Sequence, residues 1–235
     1  MDAITREEII AGKLKARNLP GVPDRVELLD WDELEIRSVE QIAKRAAAAA
    51  ISAHLAWYGI FEDGREERLD EHQKALWRFK ADECLFGIER RVFEDEFNES
   101  VTGEVEWECQ AAYALLWALG LVDDIDDPAD PKDPQDFVDD VYIMIDKYRN
   151  LEDLLKNCRL RSAEELEDEF QLYYHYHWHC VDTRLFNYYG LSDEERQKLL
   201  QTVSADVVTE RRKALQWAVY SEEDDNGDWD FPLDT

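Results

Sequence analysis

Apolar side chains recur every three or four residues along most of the chain, which is the period of an α-helix. The first strong repeat places small apolar residues on one helix face: Val39, Ile42, Ala43, Ala46 and Ala50. The segment from Glu104 to Leu119 is apolar nearly all round, as is typical of a helix in the middle of a fold. Strand signals are absent. The pattern therefore predicts an all-α, single-domain multi-helix bundle with a central buried helix.

Local signals mark where several helices begin and end. Three serines are followed three positions later by glutamine or glutamate, which is the spacing of a capping box. These pairs are Ser38–Gln41, Ser162–Glu165 and Ser192–Glu195. Gly120 and Gly190 stand where a glycine commonly terminates a helix. The helix after Ser162 is expected to extend to Tyr189.

Two charged segments are predicted as loops. The first is Glu62–Arg68. The second is Asp123–Asp140, which holds nine aspartates and three of the six prolines. Pro134 fits the first turn of a following helix, because the missing N–H of proline costs nothing there.

The last fifteen residues are acidic but contain regularly spaced apolar side chains. Trp229, Phe231 and Leu233 alternate, so an extended segment can press all three against the body on one side. We therefore predict an ordered tail with Trp229 buried. Arg211 lies on the apolar face of the last helix and needs a partner, because an unpaired buried charge is costly. We expect an aspartate of the tail near Arg211 or another arginine. Binding of an anion by Arg211 is the less favoured alternative.

The charge balance excludes several classes of function. The 235 residues include 27 Lys and Arg against 56 Asp and Glu, a formal net charge of −29. Nucleic-acid binding needs a basic surface, and anionic lipid repels an acidic protein. We therefore expect no nucleic-acid or membrane partner. A basic protein is the partner that such a charge favours.

The cysteines and the apolar runs indicate a cytoplasmic location. Residues 1–10 carry acids and no apolar core of a signal peptide. The longest apolar stretch, Ala46–Phe61, is too short and too rich in alanine to span a bilayer, so we interpret it as a buried core helix. The four cysteines have no zinc-site spacing, and we expect reduced thiols.

Two segments carry weak metal-ligand patterns. His175, His179 and Asp182 share one helix face and could ligate zinc or iron, but edge-of-core packing is the favoured interpretation. In the tail, aligning Gly227 with the glycine of a calcium loop places Leu233 at the essential glutamate position. No nucleotide-binding motif occurs either. We therefore expect no metal and no cofactor.

Four stretches stand out together along the chain: Arg37–Glu40 with Arg45–Ala46; Trp107–Gln110 with Leu115–Gly120; Tyr174, His177, Trp178, Asp182 and Arg184; and Glu210–Arg211, Ala214–Leu215, Trp217, Trp229–Asp230 and Asp234–Thr235. In this order they resemble a bacterial family known only as a domain of unknown function, DUF4272. The resemblance implies an all-helical cytosolic domain over residues 37–235, preceded by an N-terminal helical extension over 1–36. It implies no reaction. Three residues depart from the family pattern: Glu108, Gln110 and His175. If relatives form an ion network at these positions, the charged partners in this chain are expected to differ.

The matching positions supply a candidate polar cluster or binding site: His177, Trp178, Asp182, Arg184, Glu210, Arg211, Trp229 and Asp230. The favoured function is a binding or interaction module, immunity-like in the sense that it would inhibit a basic partner. One alternative is an enzyme whose pocket is lined by His177, Trp178, Asp182, Arg184 and Trp229. The other alternative is a structural scaffold without a pocket.

Overall fold

A computed structural model describes residues 3–19, 35–125, 127–129, 133–186, 190–219 and 229; for residues 3–7 and 186 it describes the backbone alone. Within these ranges the regular elements are all helical and no strand occurs, so the predicted all-α class is confirmed. The α-helices are α1 Ala3–Ala16, α2 Val39–Gly59, α3 Arg65–Phe79, α4 Gly87–Phe93, α5 Glu99–Glu106, α6 Glu108–Ala118, α7 Pro134–Asp146, α8 Leu151–Asn157, α9 Ala163–Val181, α10 Asp193–Thr202 and α11 Ala205–Val219.

The alanine-rich helix α2 lies at the centre of the bundle. It begins at the predicted capping box, where the backbone N–H of Gln41 donates to Ser38 Oγ over 3.3 Å and Gln41 Oε1 accepts from the Ser38 N–H over 2.9 Å. Residues 46–50 are at most 1% exposed. Their small side chains allow α6 to pack on one side of α2, while α3, α5 and α7 pack on the others. Phe61, at the end of the predicted core stretch, is instead exposed.

The predicted central helix is divided into two. A turn at Trp107, where the N–H of Gln110 donates to the Trp107 carbonyl over 2.9 Å, separates α5 from α6. The prediction of one continuous helix over 104–119 is therefore wrong. Helix α6 nevertheless packs against both α2 and α11, and Leu116 and Trp117 are at most 6% exposed, as predicted.

Gly120 ends this part of the chain as expected. Its φ of +69° is in the left-handed region, and a Cβ added there would lie 2.5 Å from the Arg159 carbonyl oxygen. The close approach follows from two hydrogen bonds, in which the N–H groups of Arg159 and Arg161 donate to the carbonyls of Leu119 and Ala118. Glycine is required because both the φ value and the space exclude a side chain.

The two predicted loops are shorter than expected. Helix α3 begins inside the first, because Arg65 Nε donates to the Gly59 carbonyl over 2.7 Å and thereby ties the new helix to the end of α2. In the second, α7 begins at Pro134 as predicted. Asp133 caps it by accepting from the N–H groups of Gln135 and Asp136.

The second half of the bundle follows the capping signals. The boxes at Ser162–Glu165 and Ser192–Glu195 are both present. Helix α9 ends at Val181 and is followed by a short π-helix, Asp182–Phe186. The prediction of one regular α-helix extending to Tyr189 is therefore wrong from Asp182 onward. Tyr189 itself lies outside the described residues. Helix α11 then packs against α6 and α9.

Trp229 is the part of the tail that the structure describes, and it is fully buried, as predicted. Phe231, Leu233 and Asp230 lie outside the described residues. Among the described helices, none is both long and apolar enough to cross a membrane.

Candidate functional site

A buried ion cluster joins α2, α4, α6 and α11. Arg45 of α2 is fully buried and donates through both terminal nitrogens to Glu89 of α4, each over 2.9 Å. Its Nη2 also donates to Glu108 Oε2 of α6 over 3.0 Å. The two-pronged contact with Glu89 uses the planar fork of the guanidinium, which suits a carboxylate.

Helix α11 and the tail complete this cluster around Glu108. Lys213 Nζ donates to Glu108 Oε1 over 2.9 Å and also pairs with Glu210. The indole N–H of Trp229 donates to both oxygens of Glu108, over 3.0 and 3.1 Å. We call Arg45, Glu89, Glu108, Glu210, Lys213 and Trp229 the buried ion cluster.

The charges in the cluster shift one another's pKa values. Burial raises the pKa of Glu89, since the pairing with Arg45 only partly offsets the loss of water. Burial also acts to raise the pKa of Glu108, but Lys213 and Arg45 together outweigh it and hold that pKa below its usual range. Burial, reinforced by nearby Glu108, raises the pKa of Glu210 to about 7. Glu108 is thus the anionic centre of the cluster, where it accepts hydrogen bonds from Arg45, Lys213 and Trp229.

The centre of the cluster is buried, whereas its rim reaches the surface. Arg45, Glu89 and Trp229 are fully buried and Glu108 is 4% exposed, but the side chains of Lys213 and Glu210 are 14% and 18% exposed. The cluster therefore connects four helices and Trp229, which is a structural role.

Arg211 forms a second network on the neighbouring part of α11. Its Nε donates to Gln110 Oε1 over 3.0 Å, and its Nη1 donates to Tyr173 Oη and to the carbonyls of Ile125 and Asp127. These four acceptors are neutral oxygens, supplied by α6, α9 and the segment after α6. The expected pairing with a tail aspartate stays a prediction, because those residues lie outside the described ones.

The end of α9 carries the other predicted site residues. His177 and Asp182 are at most 9% exposed, whereas Arg184 of the π-helix is exposed. Burial, with the charges of Arg212 and Arg184, lowers the pKa of His177 to about 4. Trp178 is half-buried. Thr183 and Arg184 face α10 across a surface groove.

The histidine face considered for a metal is packed into the core. His175 and His179 are each 1% exposed, and Asp182 is fully buried. Across the described ranges, no three histidine, cysteine or acidic side chains converge in a way that could hold a metal ion. The four cysteines are free thiols.

Sequence reasoning missed a pair of histidines between α2 and α3. His54 Nδ1 and His72 Nε2 lie 2.8 Å apart, and Tyr142 of α7 stacks on His54 with ring centres 4.0 Å apart. The two histidines are separated by 18 positions and match no ligand motif, so the sequence offered no signal for their contact.

A surface rich in carboxylates lies along α3 and the turn before it. We call it the α3 acidic face; its members, all exposed, are Glu62, Asp63, Glu66, Glu67, Asp70 and Glu71. The arginines of the same segment do not neutralise it fully. Arg65 Nε and Nη2 bind the carbonyls of Gly59 and Ile60, and Arg68 binds the carbonyl of Phe61.

The predicted site residues therefore fall into three places. Glu210 and Trp229 meet in the buried ion cluster, and Arg211 belongs to the adjacent network. His177, Trp178, Asp182 and Arg184 lie at the end of α9 and in the π-helix. Asp230 is outside the described residues. Glu108 and Gln110 are the two residues of α6 that depart from the family pattern. Glu108 accepts from Arg45 in the buried ion cluster, and Gln110 accepts from Arg211 in the adjacent network.

Comparison with known proteins supports one assignment. A family model described as "Domain of unknown function (DUF4272)" matches residues 6–232, nearly the whole chain. No curated protein and no solved structure gives a significant match. The chain belongs to the DUF4272 family, whose function is unknown.

Proposed function

We propose that the protein is a cytoplasmic binding module whose acidic surface recognises a basic partner protein. The observation that carries this proposal is the distribution of charge. Among the described residues the buried charged side chains are four arginines and four carboxylates: Arg37, Arg45, Arg211, Arg212, Glu89, Glu108, Glu169 and Asp182. The buried charges of the described residues therefore cancel, so the net negative charge of this part of the chain lies on side chains that are at least partly exposed.

The α3 acidic face is the best-supported place for the contact. It combines exposed carboxylates with two exposed aromatic side chains, Phe61 at 56% and Trp77 at 59% exposure. Aromatic side chains are enriched at protein interfaces, where they serve as anchors. Opposite charge on the partner would speed association and select among partners. An immunity-like role, inhibition of a basic protein, is the specific form that we favour.

The enzyme alternative has less support. Its pocket would need Trp229, which is closed inside the buried ion cluster, together with His177 and Asp182 at the end of α9. The described contacts of Trp229 run to Phe86, Trp217, Arg45, Lys213 and Glu108, so they do not join it to that group.

Two charge-reversed variants test the proposal. Glu66→Lys with Glu67→Lys changes the first turn of α3, and Asp193→Lys with Glu194→Lys makes the same charge change in the first turn of α10. Tagged wild type and both variants are used for affinity capture from the source cells at low and high salt. We expect a basic protein that binds wild type and the α10 variant at low salt, and that is lost with the α3 variant and at high salt.

Equal capture by all three proteins would contradict the assignment to α3. Capture of no basic protein at low salt would contradict the proposed function and favour a scaffold. Circular dichroism of each variant checks that its helices are intact.

A further inference from the structure

An apolar patch lies at the end of α2, directly before the α3 acidic face. Its two exposed members are Ile60 and Phe61, at 47% and 56% exposure. The half-buried Phe97 ring packs on the backbone of Gly59, where a Cβ would overlap with it. We call Ile60, Phe61 and Phe97 the α2-end patch. Apolar side chains that stay exposed together inside a polar rim are a feature of interaction sites.

Two arginines of α3 hold the backbone that carries the patch. Arg65 Nε and Nη2 donate to the carbonyls of Gly59 and Ile60, over 2.7 and 3.3 Å. Arg68 donates to the Phe61 carbonyl. Carbonyls at the end of a helix otherwise lack intrahelical partners. The patch is therefore pre-organised, which lowers the entropic cost of covering it with a partner.

The balance of charge along α3 changes from its start to its end. Four exposed carboxylates beside the patch form no ion pair with any other described residue: Glu62, Asp63, Glu66 and Glu67. Further along the helix, Asp70 pairs with Lys74. Arg78 of the last turn pairs with Asp146 of α7. Unneutralised negative charge is therefore concentrated next to Phe61.

Trp77 provides a comparison on the same helix. It is as exposed as Phe61, at 59% against 56%. It lies in the last turn of α3, however, about 18 Å along the helix axis from Arg65. The Phe61 end of the α3 acidic face thus combines apolar surface with unpaired carboxylates, whereas the Trp77 end has its charges paired.

The charge around the patch decides which surface can cover it. A second copy of the chain would bring the same unpaired carboxylates to the interface, and the juxtaposition of like charges is costly. An anionic bilayer would be repelled in the same way. A basic segment with apolar side chains at its centre meets both requirements, because its cations pair with the carboxylates while its apolar groups cover Phe61.

We propose that the α2-end patch is the apolar anchor of the binding surface, and that it takes a partner segment in which aliphatic side chains are flanked by lysine or arginine. This inference rests on the proposed function, since it specifies which end of the α3 acidic face makes the contact and what the partner presents there. An apolar centre with a polar rim is the usual anatomy of a protein interface.

Two synthetic peptides of equal charge test the proposal. Both have the sequence Lys-Arg-Lys-X-X-Lys-Arg-Lys with an N-terminal fluorescein, and the central pair is Leu-Leu in one and Ser-Ser in the other. Dissociation constants for wild type, Phe61→Ser and Trp77→Ser are measured by fluorescence anisotropy at low and high salt. We expect wild type and Trp77→Ser to bind the leucine peptide at least about 5-fold more tightly than the serine peptide. Phe61→Ser should bind the two peptides about equally.

The salt series and a second variant sharpen the test. The preference for leucine should persist at high salt, because salt screens the charge contacts that the two peptides share. Ile60→Ser should also reduce the preference, so the test holds if Phe61→Ser does not fold. Circular dichroism checks the helices of each variant.

The outcomes separate this inference from the proposed function. Binding of neither peptide to wild type at low salt would contradict the proposed function and this inference with it. Equal binding of both peptides to wild type, or a preference for leucine that is unchanged in folded Phe61→Ser, would overturn the anchor alone. Loss of the preference in Trp77→Ser to the same extent as in Phe61→Ser would also overturn it.

Discussion

The guanidinium of Arg45 lies 4.0 Å from the centre of the Trp229 indole ring. This contact joins the second turn of α2 to a residue close to the end of the chain. The indole also lies near Phe86 and Trp217, with ring centres 6.0 and 5.5 Å away, and donates its N–H to Glu108. A cation above its face and a carboxylate at its edge suit the charge distribution of an aromatic ring.

Removing Arg45 should be strongly destabilising. Arg45→Met leaves Glu89 buried without its cation, and breaking a buried pair in this way costs about 3–5 kcal/mol. Lys44→Met is the matched control, because Lys44 pairs with Glu40 on the surface and such pairs contribute about 0–1 kcal/mol. Urea unfolding of both variants gives the comparison. Equal losses of stability would show that the cluster does not stabilise the fold.

Trp229→Phe tests whether the indole N–H contributes to stability. The ring remains, but Glu108 loses a hydrogen bond to a charged acceptor, so we expect the free energy of unfolding to fall by about 1.5–3 kcal/mol. Trp77→Phe is the control, since Trp77 is 59% exposed and its replacement should change stability by less than about 0.5 kcal/mol. Similar unfolding curves for both variants would contradict the buried position of Trp229.

Leu116 tests the packing of the central helix α6. It is fully buried, and Leu116→Ala should cost about 2–5 kcal/mol because it removes apolar contacts and leaves a cavity. Leu185→Ala, at a side chain that is 66% exposed, should change little. Denaturant unfolding of both variants measures the two losses of stability. A larger loss for Leu185→Ala than for Leu116→Ala would refute the prediction.

The buried histidines should make the protein sensitive to acid. Burial, with nearby His179, lowers the pKa of His175 from 6.5 to about 4, so the unfolded chain binds more protons between these values. Stability should therefore be lost as the pH falls from about 6.5 to about 4. Neither ring nitrogen of His175 has a hydrogen-bond partner among the described residues. His175→Leu should thus retain stability at pH 7 and make this fall shallower.

Urea unfolding of wild type and His175→Leu at a series of pH values measures both slopes. If the slopes are identical, His175 does not release a proton on folding. A steeper slope in the variant would contradict the assigned direction of the pKa shift.

Features that depend on neighbours in the sequence were predictable. The capping boxes at Ser38, Ser162 and Ser192 and the terminating Gly120 need only a few residues, and all four are present. The burial of Trp229 was also predicted, because an aromatic residue in an acidic tail has little reason to be spaced as it is unless it packs. The all-α class followed from the helical period, which extends along most of the chain.

Features that depend on distant partners could not be predicted. Arg45 pairs with Glu89 across 44 positions and with Glu108 across 63, and no periodicity indicates such partners among 56 acids. The start of α3 at Arg65 was missed for a different reason, because its charged sequence resembles a loop. The contact of His54 with His72 and Asp139 likewise exists only once three helices pack.

Recognition of a basic partner by the α3 acidic face is tested most directly by association kinetics. The basic protein captured by wild type is purified, and its association rate constant is measured with wild type, with the Glu66→Lys, Glu67→Lys variant and with the Asp193→Lys, Glu194→Lys variant over a series of salt concentrations. We predict a rate constant that falls steeply with salt for wild type and the α10 variant, and a slower, less salt-sensitive association for the α3 variant. Rate constants that are independent of salt, or equal for the two variants, would contradict electrostatic recognition through α3.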